Sequence, residues 1–117
     1  MNGKDYKIIL PLTLAGIPKY GDLYDVTSCN NLNAKFLVIS SEEFVKWNIE
    51  NICLDLYTRY GFLLGDGDYY YLEYNDCKIL EDYLKNNKNE ISSKIYDLLI
   101  NFCDESIALK TGLGFDF

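Results

Sequence analysis

The chain has 117 residues, of which 49% are apolar, and its 18 acidic and 11 basic residues give a formal net charge of -7. This apolar fraction supports one folded core, predicted as a single domain over residues 1–117, and excludes disorder caused by low hydrophobicity. The charge argues against direct binding of nucleic acid or of an anionic membrane, because both need a basic footprint. It favours a basic partner, or it serves solubility alone.

The first third of the chain contains two short strand patterns. Residues 6–10 are mostly apolar and predict a first strand, which Pro11 ends or marks as an edge. Residues 23–27 are compatible with a second strand between a turn-rich segment, 16–22, and a polar loop, 29–33.

A strand followed by a long helix is predicted over residues 35–60. The apolar run 36–39 stops at Ser40, and Glu43 three residues later completes the pattern of a capping box. The helix is predicted as one element over 41–60, with Gly61 as its stop.

Two apolar stripes follow this predicted helix. The main stripe has the spacing of one buried face and consists of Val45, Ile49, Ile52, Cys53, Leu56 and Tyr60. The second stripe consists of Phe44, Trp47 and Leu54. It either packs under the N-terminal strands or forms an exposed anchor for a partner.

Residues 62–74 predict a hairpin. An apolar run, 62–64, precedes the turn-like Gly-Asp-Gly-Asp of residues 65–68, and the aromatic run 69–74 has strong strand propensity. Alternation places Tyr70, Leu72 and Tyr74 on one face of the second strand. The other face, with Tyr69, Tyr71 and Glu73, is predicted to be the solvated one.

Two helices and a terminal segment complete the predicted order. The first helix is capped by residues 75–76 and runs to about residue 85, and the second covers about residues 90–110, with Gly112 as its stop. Residues 114–117 are either a final short strand or a docked tail. The predicted fold class is α+β, with a single layer of about three helices packed on a mostly antiparallel sheet.

The cysteines and the N-terminus predict a cytoplasmic protein. The four cysteines have no C-x-x-C spacing and no histidine to complete a zinc site, so all four are predicted to be reduced: Cys29, Cys53, Cys77 and Cys103. The N-terminal residues lack the apolar segment of a signal peptide, and no apolar run approaches the ~20 residues of a membrane span.

No catalytic signature is present. The absence of histidine removes the commonest general base, and the sequence has neither a P-loop nor a G-x-G-x-x-G motif. Asp66, Asp68 and Glu73 are the nearest candidates for carboxylate acid–base chemistry. The Asp-Gly-Asp of residues 66–68 also hints at calcium, but the remainder of an EF-hand loop is missing, and a turn is the favoured interpretation. We therefore predict no enzyme activity, no metal and no cofactor, and keep a small carboxylate enzyme as an alternative.

One cluster of acidic residues and tyrosines stands out in the second half. Tyrosine offers a large contact area with a polar tip, and neighbouring carboxylates can pair with Lys or Arg of a partner. Alternatively, half of these tyrosines belong to the core and the carboxylates are only solvated. The predicted partner-binding residues are Asp66, Asp68, Tyr69, Tyr71, Glu73 and Asp76.

These features together resemble a known group of proteins. Small size, strong acidity, the Tyr-Tyr-Tyr-Leu-Glu-Tyr run of residues 69–74, two following helices and the terminal Gly-Phe-Asp-Phe are similar to small immunity proteins of bacterial toxin–immunity systems, such as those of contact-dependent growth inhibition. The resemblance implies a cytoplasmic protein that binds and neutralises a cognate basic protein toxin, often a nuclease. The alternative is an acidic adaptor or regulatory domain with an unrelated role.

Overall fold

The central sheet of the computed structural model has four strands, all antiparallel. The structure describes residues 5–13, 19–20, 24–25, 33–65 and 69–117. The strands are β1 (Tyr6–Pro11), β4 (Ala34–Ile39), β5 (Tyr69–Leu72) and β6 (Leu113–Asp116), in the spatial order β4-β1-β6-β5. Two short strands, β2 (Lys19–Tyr20) and β3 (Tyr24–Asp25), pair separately with each other.

Within the described residues, four α-helices accompany the sheet. They are α1 (Ser41–Lys46), α2 (Ile49–Tyr60), α3 (Tyr74–Asn86) and α4 (Ser93–Leu109), with a 3-10 turn at Lys88–Glu90 between the last two. Alternate residues of β1, namely Tyr6, Ile8 and Leu10, enter the core that the helices cover. The predicted α+β class, with helices packed on an antiparallel sheet, is confirmed.

The capping signals were predicted correctly, but the long helix was not. Ser40 is the N-cap of α1 and Glu43 completes the capping box, while Gly61 ends α2 in the left-handed conformation. The predicted helix over 41–60 is interrupted at Trp47 and Asn48. Asn48 adopts a left-handed φ of 58°, which asparagine tolerates better than most residues, and its side chain accepts a hydrogen bond from Asn51 at 2.7 Å.

This interruption changes which side chains are buried. Ile49, Cys53 and Leu56 are buried as predicted, and Ile52 is half-buried against the core. Val45, however, is 76% exposed, because the break rotates α1 out of register with α2. Tyr60, at the end of α2, is 41% exposed. The predicted main stripe therefore wrongly included Val45 and Tyr60 among the buried residues.

The residues of the second stripe do not all follow one of the two interpretations, which were packing under the strands and exposure to solvent. Phe44 is buried and stacks on Tyr6 with ring centroids 3.9 Å apart. Trp47 is half-buried and has the Lys94 ammonium 5.8 Å from its ring centroid. Leu54 is 63% exposed. Packing under the strands was therefore correct for Phe44, and exposure was correct for Leu54.

The predicted hairpin is wrong, because β5 pairs with the C-terminal strand instead. Residues 62–65 form no strand, and Tyr70 lies opposite Phe115 in the β5–β6 register. Phe62 and Leu64 are buried without strand pairing, so their apolar character reflects core packing. The terminal segment is both a strand and a docked tail: β6 lies between β1 and β5, and Phe117 is buried.

The helices α3 and α4 pack along each other and were predicted well. Tyr74 begins α3, with Glu73 rather than residues 75–76 as its N-cap. The left-handed residue that ends α4 is Lys110, and Gly112 follows with φ of 99°. A Cβ atom on Gly112 would collide with the carbonyl oxygen of Leu72, so close packing as well as backbone conformation requires glycine there.

The thiols within the described residues are buried and unoxidised. Cys53, Cys77 and Cys103 are free, as predicted, while Cys29 lies outside the described residues. Burial raises the pKa of the Cys53 thiol to about 12 and that of Cys77 to about 11, and it raises the pKa of Cys103 as well. These three thiols therefore act as small apolar core groups rather than as nucleophiles.

A carboxyl pair crosses the contact between α3 and α4. Glu81 forms a hydrogen bond with the Asp104 carboxylate, and this bond, together with burial and the Asp104 charge, raises the pKa of Glu81 to about 7. Lys85 Nζ lies 3.9 Å from Glu81 Oε1 and opposes the increase only in part. Glu81 is thus held near the midpoint of its titration at neutral pH.

Candidate partner-binding site

The predicted binding residues that the structure describes lie around one shallow cleft. Tyr69, Tyr71, Glu73 and Asp76 line a depression of about 410 Å³, and Tyr70 completes its lining. We call this depression the tyrosine cleft. Asp66 and Asp68, which were predicted to belong to the same surface, lie outside the described residues.

The strand β5 and the start of α3 create the cleft. Tyr69, Tyr70 and Tyr71 are in extended conformation, which suits aromatic side chains, and Glu73 is the extended N-cap residue of α3. Asp76 lies in the first helical turn, where the partial positive charge of the helix N-terminus favours a carboxylate. The abrupt change from strand to helix brings the tyrosines and both carboxylates together.

The tyrosines contribute unequally to the accessible surface. Tyr69 is 51% exposed, so about half of its surface is accessible to solvent. Tyr71 is only half exposed and its hydroxyl is buried, which differs from the prediction that it faces solvent. The same hydroxyl lies beside Gly112, so Tyr71 supports the fold as well as lining the cleft.

Tyr70 forms the inner side of the cleft. Its ring packs near that of Phe62, with centroids 6.3 Å apart. Burial raises the pKa of the Tyr70 hydroxyl, and the nearby Asp76 charge raises it further. The hydroxyl therefore stays protonated at neutral pH and can donate a hydrogen bond.

Asp116 is a carboxylate beside Tyr69 that the sequence did not reveal, although it does not line the cleft itself. It lies opposite Tyr69 in the β5–β6 register, and directly opposed residues point to the same face of a sheet. The Phe-Asp-Phe alternation of residues 115–117 could have indicated an exposed strand position. Nothing in the sequence, however, indicated that this strand lies beside β5.

The groups around the cleft are chemically suited to contacts with cationic side chains. Its residues supply carboxylate acceptors and tyrosine hydroxyls around exposed aromatic area, the combination that receives Lys or Arg side chains. Among the residues that the structure describes, no group of three or more side chains could hold a metal ion. No helix in those parts of the chain is long and apolar enough to cross a membrane.

Comparison of the chain with protein-family models, with curated proteins and with solved structures gave no match.

Proposed function

We propose that this protein is an immunity protein that binds and neutralises a cognate basic toxin in the cytoplasm and has no enzyme activity of its own. The observation that carries the proposal is the tyrosine cleft, where four of the six predicted binding residues line one surface. The net charge of -7 supports it, because an acidic protein is steered toward a basic partner. The three free thiols agree with a reducing compartment.

The proposed mechanism is occlusion of a basic surface. A nuclease binds its substrate through Lys and Arg side chains that contact phosphates. Glu73, Asp76 and Asp116 would form ion pairs with those Lys and Arg side chains, while Tyr69 would contribute contact area at the centre of the interface. Bound in this way, the inhibitor excludes nucleic acid both sterically and by charge.

The test is a kinetic binding series against any toxin domain that is found to be encoded next to this gene. Glu73→Gln with Asp76→Asn should slow association, and the slowing should shrink as salt rises because exposed charges are screened. Asp66→Asn with Asp68→Asn should act in the same direction. Tyr69→Ala should instead speed dissociation, as loss of a contact anchor does, and it is preferable to Tyr71→Ala because the Tyr71 hydroxyl is buried.

A charge-matched control separates local contact from net charge. Asp82→Asn with Asp97→Asn removes the same two charges from exposed positions on α3 and α4 outside the cleft. This variant should bind within about twofold of the parent, and it should inhibit the toxin equally well. Equal slowing by both double variants, or no binding to the neighbouring toxin at all, would contradict the proposal.

A further inference from the structure

A second, apolar depression lies between α1, α2 and the segment that follows α2. Its volume is about 450 Å³. The buried floor consists of Tyr6, Phe44, Cys53 and Leu64. We call this depression the α2 groove.

Exposed apolar side chains form the walls of the α2 groove. Val45 is 76% exposed, Leu54 63%, Tyr57 52% and Leu63 46%, and all four line the same depression. Single exposed apolar residues are ordinary, but several converging on one concavity mark an interaction site. The helix break at Asn48 contributes directly, because it moves Val45 out of the main stripe and onto the groove wall.

The polar margin of the groove is anionic. Glu50 and Asn51 are the polar side chains among the residues that line it, and none of those residues is basic. Glu50, Leu54 and Tyr57 are spaced four and three residues apart, so they lie on one face of α2. On α1, neither the acidic Glu42 nor the basic Lys46 lines the groove, so Glu50 is the one charged side chain among the lining residues.

We propose that the α2 groove binds a basic amphipathic helix of a partner protein. An apolar groove with a carboxylate at its margin is complementary to a helix that carries aliphatic residues on one face and Lys or Arg beside them. A second copy of this chain is disfavoured as the occupant, since two copies with a charge of -7 each repel one another. This inference stands apart from the proposed toxin binding, because the groove and the tyrosine cleft share no lining residue.

The probe is a synthetic helix of about 18 leucine and lysine residues with all leucines on one face, long enough to fold in water. Its binding to the full chain is measured by fluorescence anisotropy. A shuffled peptide of the same composition, which has no apolar face, should bind at least about tenfold more weakly. A leucine–glutamate peptide with the original spacing should not bind.

Matched variants locate the site. Leu54→Ser should weaken binding about tenfold or more, whereas Leu109→Ser, at an exposed apolar position outside the groove, should change it less than twofold. Glu50→Gln should weaken binding about threefold at low salt and Asp82→Asn should not. Leu54 is largely solvent-exposed, so its replacement leaves the core intact.

Three outcomes would overturn the inference. The shuffled peptide binding as tightly as the amphipathic one would show attraction by net charge alone. Unchanged binding by Leu54→Ser would place the peptide elsewhere on the molecule. Concentration-dependent self-association in sedimentation velocity that Leu54→Ser abolishes would make a second copy the occupant. None of these results bears on binding of the toxin at the tyrosine cleft, which is measured separately.

Discussion

The two helix pairs differ in how completely they bury their apolar side chains. In the α3–α4 pair, the inward faces pack on each other and on the sheet through Leu80, Leu84, Ile95 and Leu99. In the α1–α2 pair, one face enters the same core while the other leaves large apolar groups in water. The comparison indicates that stability comes from the shared core, whereas the outer face of α2 stays accessible to solvent.

The two helix pairs also end differently, because Gly61 after α2 is surrounded by open space and Gly112 after α4 is closely packed. Substitution of these glycines should give the largest difference in the free energy of unfolding. Gly112→Ala should cost about 4 kcal/mol, because its φ is positive and the added Cβ would collide with the Leu72 carbonyl. Gly61→Ala also meets a positive φ, but open space surrounds it, so the cost should be about 1 kcal/mol. Urea unfolding of both variants measures the difference, and equal losses would show that β5 and the end of α4 are not in close contact.

Two leucines of α2 provide the next test. Leu56→Ala should cost about 3 kcal/mol, since its side chain is 2% exposed and its loss leaves a cavity. Leu54→Ala should cost less than about 0.5 kcal/mol, since that side chain is already solvated. The half-buried Ile52 should give an intermediate loss on truncation. Similar losses at Leu54 and Leu56 in thermal or urea unfolding would contradict the two-sided description of α2.

The closed α3–α4 contact should make stability depend on pH. The pKa of Glu81 is about 7 in the folded state, whereas the ordinary pKa of glutamate, which applies to the unfolded chain, is 4.5. Between these two pH values the folded state therefore binds more protons than the unfolded state does. Stability therefore falls as pH rises through this range, by about 1–2 kcal/mol after allowance for the exposed Asp104 partner.

Glu81→Gln should remove this loss, because an amide can donate to Asp104 at any pH. Unfolding measured at intervals from pH 4.5 to 8 should then give a flatter profile than that of the parent. Asp97→Asn is the control, since it removes an exposed charge of α4 that is not among the groups that shift the pKa of Glu81. If the free energy of unfolding of Glu81→Gln depended on pH as steeply as that of the parent, the pH dependence would come from other groups.

The smallest effect is expected at the tyrosine cleft. Glu73→Gln with Asp76→Asn should change the free energy of unfolding by about 1 kcal/mol or less, because Glu73 is exposed and the half-buried Asp76 loses only its interaction with the N-terminus of α3. A thermal melt measured beside the binding series tests this. A large loss of stability would mean that these carboxylates support the start of α3 and would weaken the case for a binding role.

The candidate site could be predicted only in part. Tyr69, Glu73 and Asp76 were found because aromatic strand residues and nearby carboxylates are adjacent in the sequence. Asp116 was missed because it comes to lie beside Tyr69 only through the pairing of two strands that are more than forty residues apart in the sequence. The α2 groove was visible only as an alternative for Leu54, although the spacing of Glu50, Leu54 and Tyr57 contained the signal.

The sequence by itself determined the features that depend on neighbours along the chain. The first strand, the capping box at Ser40, the stop at Gly61, α3, α4 and the α+β class follow from local periodicity, capping and glycine conformation. The tertiary structure decided the break at Asn48, the pairing of β5 with β6 and the central position of β6. The reason is physical: an apolar run must be buried, but its pattern does not specify which distant segment will cover it.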